Sequence, residues 1–288
     1  MPEPIPTPPR VGAVVALKAG AQVKSRLSPL PEPLRRRLAW TMALDTLHAL
    51  RQSLDVVCVV SDAAGLDHRL TLAGLADVEV TPERRPASMN DALRQGADHL
   101  RERGCARVLA CVGDLPSLRP GSLRTVLDAA RRYDRAHLPD ATGIGTTMLH
   151  AGAGVPLEPH FQGRSAAAHH ASGAVPLTDQ RLGTGVPDAR RDVDTEIDLV
   201  DAVGLGLGAA TTALVDPVTG RLGAYAAVTT TAQVGRQVGG QEELQAVTRD
   251  GIRVVLPLDR LADDLRAPRP GQRLHAVLAG TTVLSAWL

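Results

Sequence analysis

The stretch "VGAVVALK", residues 11–18, decides how the rest of the chain is read. It carries no polar side chain until Lys18 ends it. An alternating pattern marks a strand with one wet face. An unbroken apolar run marks a strand covered on both faces, the condition inside a parallel sheet. Working outward, "AGAQVKSRL" (19–27) reads as a polar loop. "PEPLRRRLAWTMALDTLHALRQS" (31–53) reads as a helix started by Pro31 or Pro33, with Leu38, Met42, Leu47 and Leu50 as its apolar stripe. "DVVCVVS" (55–61) predicts a second buried strand, "DVEVT" (77–81) a third and "RVLACVGD" (107–114) a fourth. Between them, "MNDALRQGADHLRERG" (89–104) predicts an amphipathic helix closed by Gly104, and "PGSLRTVLDAARRY" (120–133) a helix opened by Pro120. Strands alternating with helices at this spacing predict an α/β fold with a mostly parallel sheet. In such sheets ligands collect at the carboxyl ends of the strands.

Past residue 204 the pattern changes. "LGLGAATTALVDPVTGRLGAYAAV" (205–228) reads as two strands around a Pro/Gly turn. "LQAVTRDGIRVVLPL" (244–258) reads as two more around Asp-Gly, and "RPGQRLHAVLAGTTVLSAWL" (269–288) as another pair. Only "LDRLADDLR" (258–266) keeps a helical pattern. The expected organisation is a Pro-rich tail over 1–10, an α/β domain over 11–205 and a small β domain over 206–288, for which a barrel is the candidate form.

Composition narrows the function. Apolar residues are 44% of the 288, enough for a sizeable core. Aromatics are only 2% (Trp40, Tyr133, Phe161, Tyr225 and Trp287), which argues against a stacking platform for single-stranded nucleic acid. A net charge of +1 provides no field to draw the chain to DNA or to an anionic membrane. No apolar run has the length of a bilayer span, and "MPEPIPTPPR" lacks the regions of a signal peptide. Cys58, Cys105 and Cys111 have no metal-finger spacing and read as small buried hydrophobes, so the expected compartment is the reducing cytoplasm.

Chemistry is expected where strands end. Lys18 follows the first, with Lys24 and Arg26 in the loop beyond it as groups able to neutralise a triphosphate. Asp114 ends "GDLP". In "RRDVDTEIDL" (190–199), strand alternation would turn Asp192 and Asp194 to one side and Val193 into the core. Two carboxylates that close repel unless a cation lies between them, and Mg²⁺ or Mn²⁺ suits oxygen ligands. Asp114 from a neighbouring strand can complete that set. The competing role for Asp194 is an N-cap shared with Thr195, and Glu196 and Asp198 read as first-turn acids favoured by the helix dipole. In "DATGIGTTML" (140–149), Gly143 and Gly145 let backbone amides approach an anion, and Thr146 or Thr147 can donate. "FQGRSAAAHH" (161–170) repeats the theme with Gly163 and Ser165, while His169 and His170 read as surface residues of a helix.

In this order, "VVALKAGAQVKSRL", "TMALDTL", "VVSD", "MNDAL", "GDLPSL", "GIGTTML", "FQGRSAAAH", "SGAV" and "RRDVDTEIDL" resemble the CofC/FbiD guanylyltransferases over residues 11 to 204. The resemblance implies a Rossmann-like nucleotidyltransferase sandwich of the glycosyltransferase-A type. It implies transfer of GMP from GTP to phosphoenolpyruvate, with release of pyrophosphate, in biosynthesis of coenzyme F-420. Related acceptors are 2-phospho-L-lactate and 3-phosphoglycerate. By position it implies Asp114, Asp192 and Asp194 as ligands of Mg²⁺ (or Mn²⁺), with Lys18 and Asp114 catalytic. Lys18, Lys24, Arg26, Ser61 and Asn90 would hold GTP, and Thr146, Gln162, Gly163 and Ser165 phosphoenolpyruvate. "GIGT" stands where the family has "GTGT", and "FQG" where it has "FG". The expected partners are the two substrates, with a second copy or the next pathway enzyme as protein partners, and neither nucleic acid nor membrane. A GTP-binding regulator without turnover is the alternative from another class.

Overall fold

The computed structural model describes residues 10–18, 27, 30–84, 88–232, 243–262, 265 and 268–288. The first strand, β1 (Val11–Leu17), leads to α1 (Glu32–Arg51), and β2 (Val56–Ser61) to α2 (Leu66–Leu72). Next come β3 (Glu79–Pro82), α3 (Met89–Glu102), β4 (Arg107–Cys111) and α4 (Pro120–Ala130). A second half adds β5 (Arg135–Pro139), β6 (Thr146–Ala151), α5 (Ser165–Ala171) and β7 (Val175–Pro176), then the short turns α6 (Asp179–Leu182) and α7 (Pro187–Arg190) and the helix α8 (Glu196–Leu205). The strands form one sheet in the order β3-β2-β1-β4-β6-β5-β7. Only β6 runs against the others, being antiparallel to both β4 and β5.

The unbroken apolar runs have the physical cause expected of them. Every residue of β2 is buried, and its side chains divide between two cores. Val57 and Val59 face Leu47 and Leu50 of α1, while Val56, Cys58 and Val60 face Leu93, Ala97 and Leu100 of α3. Each such aliphatic side chain contributes about 1.5–3 kcal/mol on burial, so helices on both faces are favoured over one bare face. Helix α3 lies close to the sheet because Gly96 has no side chain: a Cβ there would come within 2.2 Å of Val14. Cys58, Cys105 and Cys111 are buried free thiols, and burial pushes Cys58 up to about 11. None of the described helices is long and apolar enough to cross a membrane.

After α9 (Ala209–Thr212), the strands β8 (Ala224–Ala232), β9 (Glu243–Thr248), β10 (Arg253–Pro257), β11 (Arg273–Ala279) and β12 (Thr282–Trp287) close into a barrel ordered β10-β12-β11-β8-β9. The hairpins read around Asp-Gly and within 269–288 are present as β9–β10 and β11–β12. Two expectations change. The first strand expected in 205–228 is replaced by α9 and an isolated bridge, Val215 to Leu222, around the turn. Of "LDRLADDLR", only Leu258–Arg260 is helical, as a single 3-10 turn among the described residues.

The barrel shares a core with the α/β layer. Leu34, Leu38 and Met42 of α1 pack with Val193, Leu199 and Ala202, and against Val277, Leu284 and Trp287 of the barrel. Asp45, buried in α1, accepts the backbone N–H of Ala210 (2.9 Å) and Thr211 (2.8 Å) and so caps α9 from outside. A side chain at Gly208 would collide with that carboxylate, at 2.3 Å.

Candidate active site

The carboxyl ends of β1, β2 and β4 open on a cleft of about 1660 Å³. Because β6 is antiparallel to β4, its first residue, Thr146, lies at this same end. Lys18, Ser61, Asp114, Thr146, Asp192 and Asp194 all line the cleft, joined by Gln162, Gly163 and Ser165 from the loop that opens α5. Residues from Lys18 to Asp194, 176 positions apart in sequence, thus meet at one site.

The two acids of "DVD" reach it without forming a strand. Residues 191–195 form neither strand nor helix between α7 and α8, with a bend at 194–195, which corrects the expected strand. The reason is local: Val193 donates its N–H to the carbonyl of Asp114 at 3.1 Å, a single tie rather than a ladder. Val193 is fully buried in the core shared with the barrel. Asp192 and Asp194, on either side of Val193, both line the cleft. That one bond also ties the segment bearing both acids to the residue bearing the third.

The other acids of the stretch have different work. Thr195, not Asp194, is the N-cap of α8, in a capping box with Asp198. Burial alone would raise the Asp198 carboxyl, but hydrogen bonds from the Thr195 hydroxyl and N–H and from the Asp194 N–H outweigh it and hold it below the usual carboxylate range. Arg191 pairs with Asp198 (2.9 Å) and Asp201 (3.1 Å), so the entry into α8 is fixed by charge as well as by the cap.

The glycine loop 140–145 holds an anion of its own. Asp140 accepts the N–H of Thr142 (3.0 Å), Ile144 (3.0 Å) and Gly145 (2.9 Å), and the Thr142 hydroxyl. This corrects the expectation that those amides wait for a ligand. Gly145 is required by the close approach, since a Cβ would lie 2.4 Å from Asp140 Oδ2. Of the two threonines after the loop, Thr147 is buried and donates to Ala189 O (2.8 Å), leaving Thr146 at the cleft.

The facing loop is braced from α3. Asn90 accepts the Phe161 N–H (2.8 Å) and donates to Phe161 O (3.2 Å). Asn90, expected at the nucleotide, is thus used to fix the loop that presents Gln162 and Gly163. Those two residues have φ of 90° and 57°, and at Gln162 this is a conformation that side-chain-bearing residues rarely adopt. Ala166 donates to Ile144 O (3.1 Å), joining this loop to the Asp140 loop.

Ser61 donates to Leu17 O (2.7 Å) and accepts from Ala63 N–H (3.1 Å), so its hydroxyl ties β2 to β1 at the cleft floor. Lys18 is paired with Glu83, a buried acid beyond β3 that no sequence motif marked. Lys24 and Arg26 lie outside the described residues. Other contributors were not legible in the sequence. Trp40 carries Arg69 over its ring (4.1 Å), and Trp287 of the barrel carries Arg37 (5.7 Å), and all four line the cleft. A Trp or Arg at helical spacing on α1 has no signature that separates a cleft wall from a solvated face. His169 is fully buried rather than on the surface.

A mostly parallel sheet whose strand ends bring acids and a lysine to one cleft, facing the loop of Gln162 and Gly163, suits nucleotidyl transfer. Residues 11–170 match the family model described as "Guanylyl transferase CofC like", and the chain belongs to that family. It is 43% identical over 207 residues to a phosphoenolpyruvate guanylyltransferase of Salinispora arenicola, covering 70% of this chain and 91% of that one. A phosphoenolpyruvate guanylyltransferase of Streptomyces coelicolor is 43% identical over 205 residues, covering 70% of this chain and 93% of that one. Among solved structures, a nucleotidyl transferase from Methanothermobacter thermautotroptrophicus aligns with a TM-score of 0.46 and 21% identity, over 67% of this chain and 95% of that one.

Proposed function

We propose that the chain transfers GMP from GTP to phosphoenolpyruvate, in the biosynthesis of coenzyme F-420. A phosphate oxygen of the acid attacks the α-phosphorus of GTP, the bond from that phosphorus to the β-phosphate oxygen breaks, and pyrophosphate leaves with the electron pair. The attacking oxygen is already anionic, so no base is required. The obstacle is repulsion: two unit charges 4 Å apart repel by about 1 kcal/mol in water and about 4 kcal/mol at an effective dielectric of 20.

The observation that carries the reading is the meeting of Asp114, Asp192 and Asp194 with Thr146 and Ser165 around one cleft. The three carboxylates are hard oxygen donors of the kind that Mg²⁺ and Mn²⁺ take. Among the described residues no three His, Cys, Asp or Glu side chains close a metal shell by themselves. A divalent ion here would therefore need phosphate oxygens or water among its ligands. Such an ion, when bound, neutralises phosphate charge. Asp114, Asp192 and Asp194 would hold it. Lys18 offers a cation at the end of β1, and Lys24 and Arg26 extend that basic segment for the triphosphate. Thr146, Ser165 and the backbone at Gln162 and Gly163 supply donors to the acid, which they orient for in-line attack.

Purified protein incubated with GTP, Mg²⁺ and each of phosphoenolpyruvate, 2-phospho-L-lactate and 3-phosphoglycerate, followed by mass spectrometry of the GMP adduct, tests the reading. Adduct from phosphoenolpyruvate above the other two is expected. Adduct mainly from another acid would reassign the acceptor, and GTP binding with no adduct from any would favour a regulator.

A further inference from the structure

His169 is buried beside the acceptor loops and has no part in the reaction just described. Its two ring nitrogens have partners of unequal kind. Nε2 receives the backbone N–H of His160 at 2.8 Å. A backbone amide can only donate, so Nε2 carries no proton. The neutral ring must then carry its proton on Nδ1. Nδ1 lies 3.0 Å from Thr146 Oγ1, which therefore accepts. The Thr146 hydroxyl has its own proton left to give, and it makes no other hydrogen bond among the described residues. It lines the cleft.

We propose that His169 is a positioning residue for the acceptor: as the Nδ1–H tautomer it donates to Thr146 and aims the Thr146 hydroxyl proton into the cleft, at an anionic oxygen of the phosphorylated acid. The proposal rests on the reading of this site as the acceptor site. Through His160 the same ring also holds the loop that continues into Phe161, Gln162 and Gly163. One side chain thus sets both the direction of a hydroxyl on β6 and the position of the loop opposite.

The surroundings keep the ring in that form. Phe161 meets it edge-on, with centroids 5.0 Å apart. The titratable and charged groups facing it are His137 on β5, His160 in the loop and Arg135, none of which favours a cation there. Burial first, then those neighbours, push His169 down to about 3, against a smaller opposing effect of a hydrogen bond with the Ser165 backbone. A second proton would have to sit on Nε2, opposing the His160 N–H.

Two variants separate the nitrogens. His169→Asn retains a donor at the Nδ1 position, whereas His169→Gln retains an acceptor at the Nε2 position and loses the donor. His169→Gln should raise KM for phosphoenolpyruvate about tenfold, the effect of losing one hydrogen bond to a charged group. KM for GTP should not change, and His169→Asn should recover most of the loss. In a Thr146→Val background, His169→Gln should add less than about twofold, because its effect runs through that hydroxyl. Nitrogen-15 NMR of the substrate-free wild-type protein should find Nδ1 protonated and Nε2 bare. An Nε2–H tautomer, equal losses in the two His169 variants, or additive effects with Thr146→Val would each overturn the proposal. Wild-type protein inactive on every acid would sink it together with the acceptor-site reading, and an intact tautomer would then locate the fault in that reading.

Discussion

Acidification from about pH 7 to about pH 5.5 should weaken the fold by about 4 kcal/mol through three histidines. His137, His150 and His169 are 1%, 2% and 0% exposed. Burial lowers them from 6.5 to about 4, about 4 and about 3. The unfolded chain takes up a proton at each near 6.5, while the native protein does not until far lower. Between those values the unfolded state binds more protons, so stability rises with pH and is lost as pH falls through 6.5 towards 4. Each histidine contributes a slope of about 1.4 kcal/mol per pH unit well inside that window, and about 1.2 kcal/mol over the whole step, since the upper end is only partly titrated. Ordinary carboxylates titrate below this range. His150 is the residue to change, because neither of its ring nitrogens has a hydrogen-bond partner among the described residues and the cleft does not include it. His150→Leu should remove about a third of the pH dependence, and should also stabilise at pH 7 by about 1 kcal/mol through loss of a buried, unsatisfied polar group. Urea unfolding at a series of pH values, with the m-value checked for constancy, measures both. A wild-type stability that is flat over this step, or a His150→Leu variant with the full wild-type slope, would refute the reasoning.

Asp140→Ala removes the carboxylate that holds the amides of Thr142, Ile144 and Gly145. KM for the acid should rise about tenfold or more while KM for GTP is unchanged in steady-state kinetics. Gln162→Gly relieves a φ of 90° and should stabilise by about 1 kcal/mol with activity retained, because the reading assigns this position a backbone contact. A loss of activity would show that the side chain acts. Asp45→Ala uncaps α9 and leaves two buried amides without their acceptor, so urea unfolding should show a loss of about 2 kcal/mol with both KM values unchanged.

Much of this was legible in the sequence where a physical rule acts locally. Unbroken runs such as Val11–Leu17 and Val56–Ser61 can only be covered on both faces, and they form the parallel half of the sheet. Asp114 was legible as a cleft residue because it follows β4 and ligands in open α/β sheets collect at strand ends, whereas Asp192 and Asp194 reach the same cleft from coil, without the strand expected of them. What escaped was decided by contacts distant in sequence. The glycines of 140–145 look like an anion site because they are one, but the anion is Asp140, and neither spacing nor composition says whether a loop acid turns inward. "SAAAHHA" gives no sign that one histidine is buried and its neighbour exposed, since the two differ only in facing β5 or solvent. Asp192 and Asp194 reach the cleft without a strand, on either side of a Val193 that is buried and bonded to the Asp114 carbonyl. The share of α1 in the barrel's core depends on tertiary packing that no periodicity in α1 announces.

The account depends most on the carboxylates of Asp114, Asp192 and Asp194 at the cleft. Pyrophosphate release from GTP and phosphoenolpyruvate, measured for wild type and Asp192→Asn at the same Mg²⁺ concentration, tests it most directly. The variant should lose about 100-fold in kcat/KM, equivalent to about 2.7 kcal/mol of transition-state stabilisation, with its unfolding midpoint preserved. A folded Asp192→Asn variant that releases pyrophosphate at the wild-type rate would contradict the account.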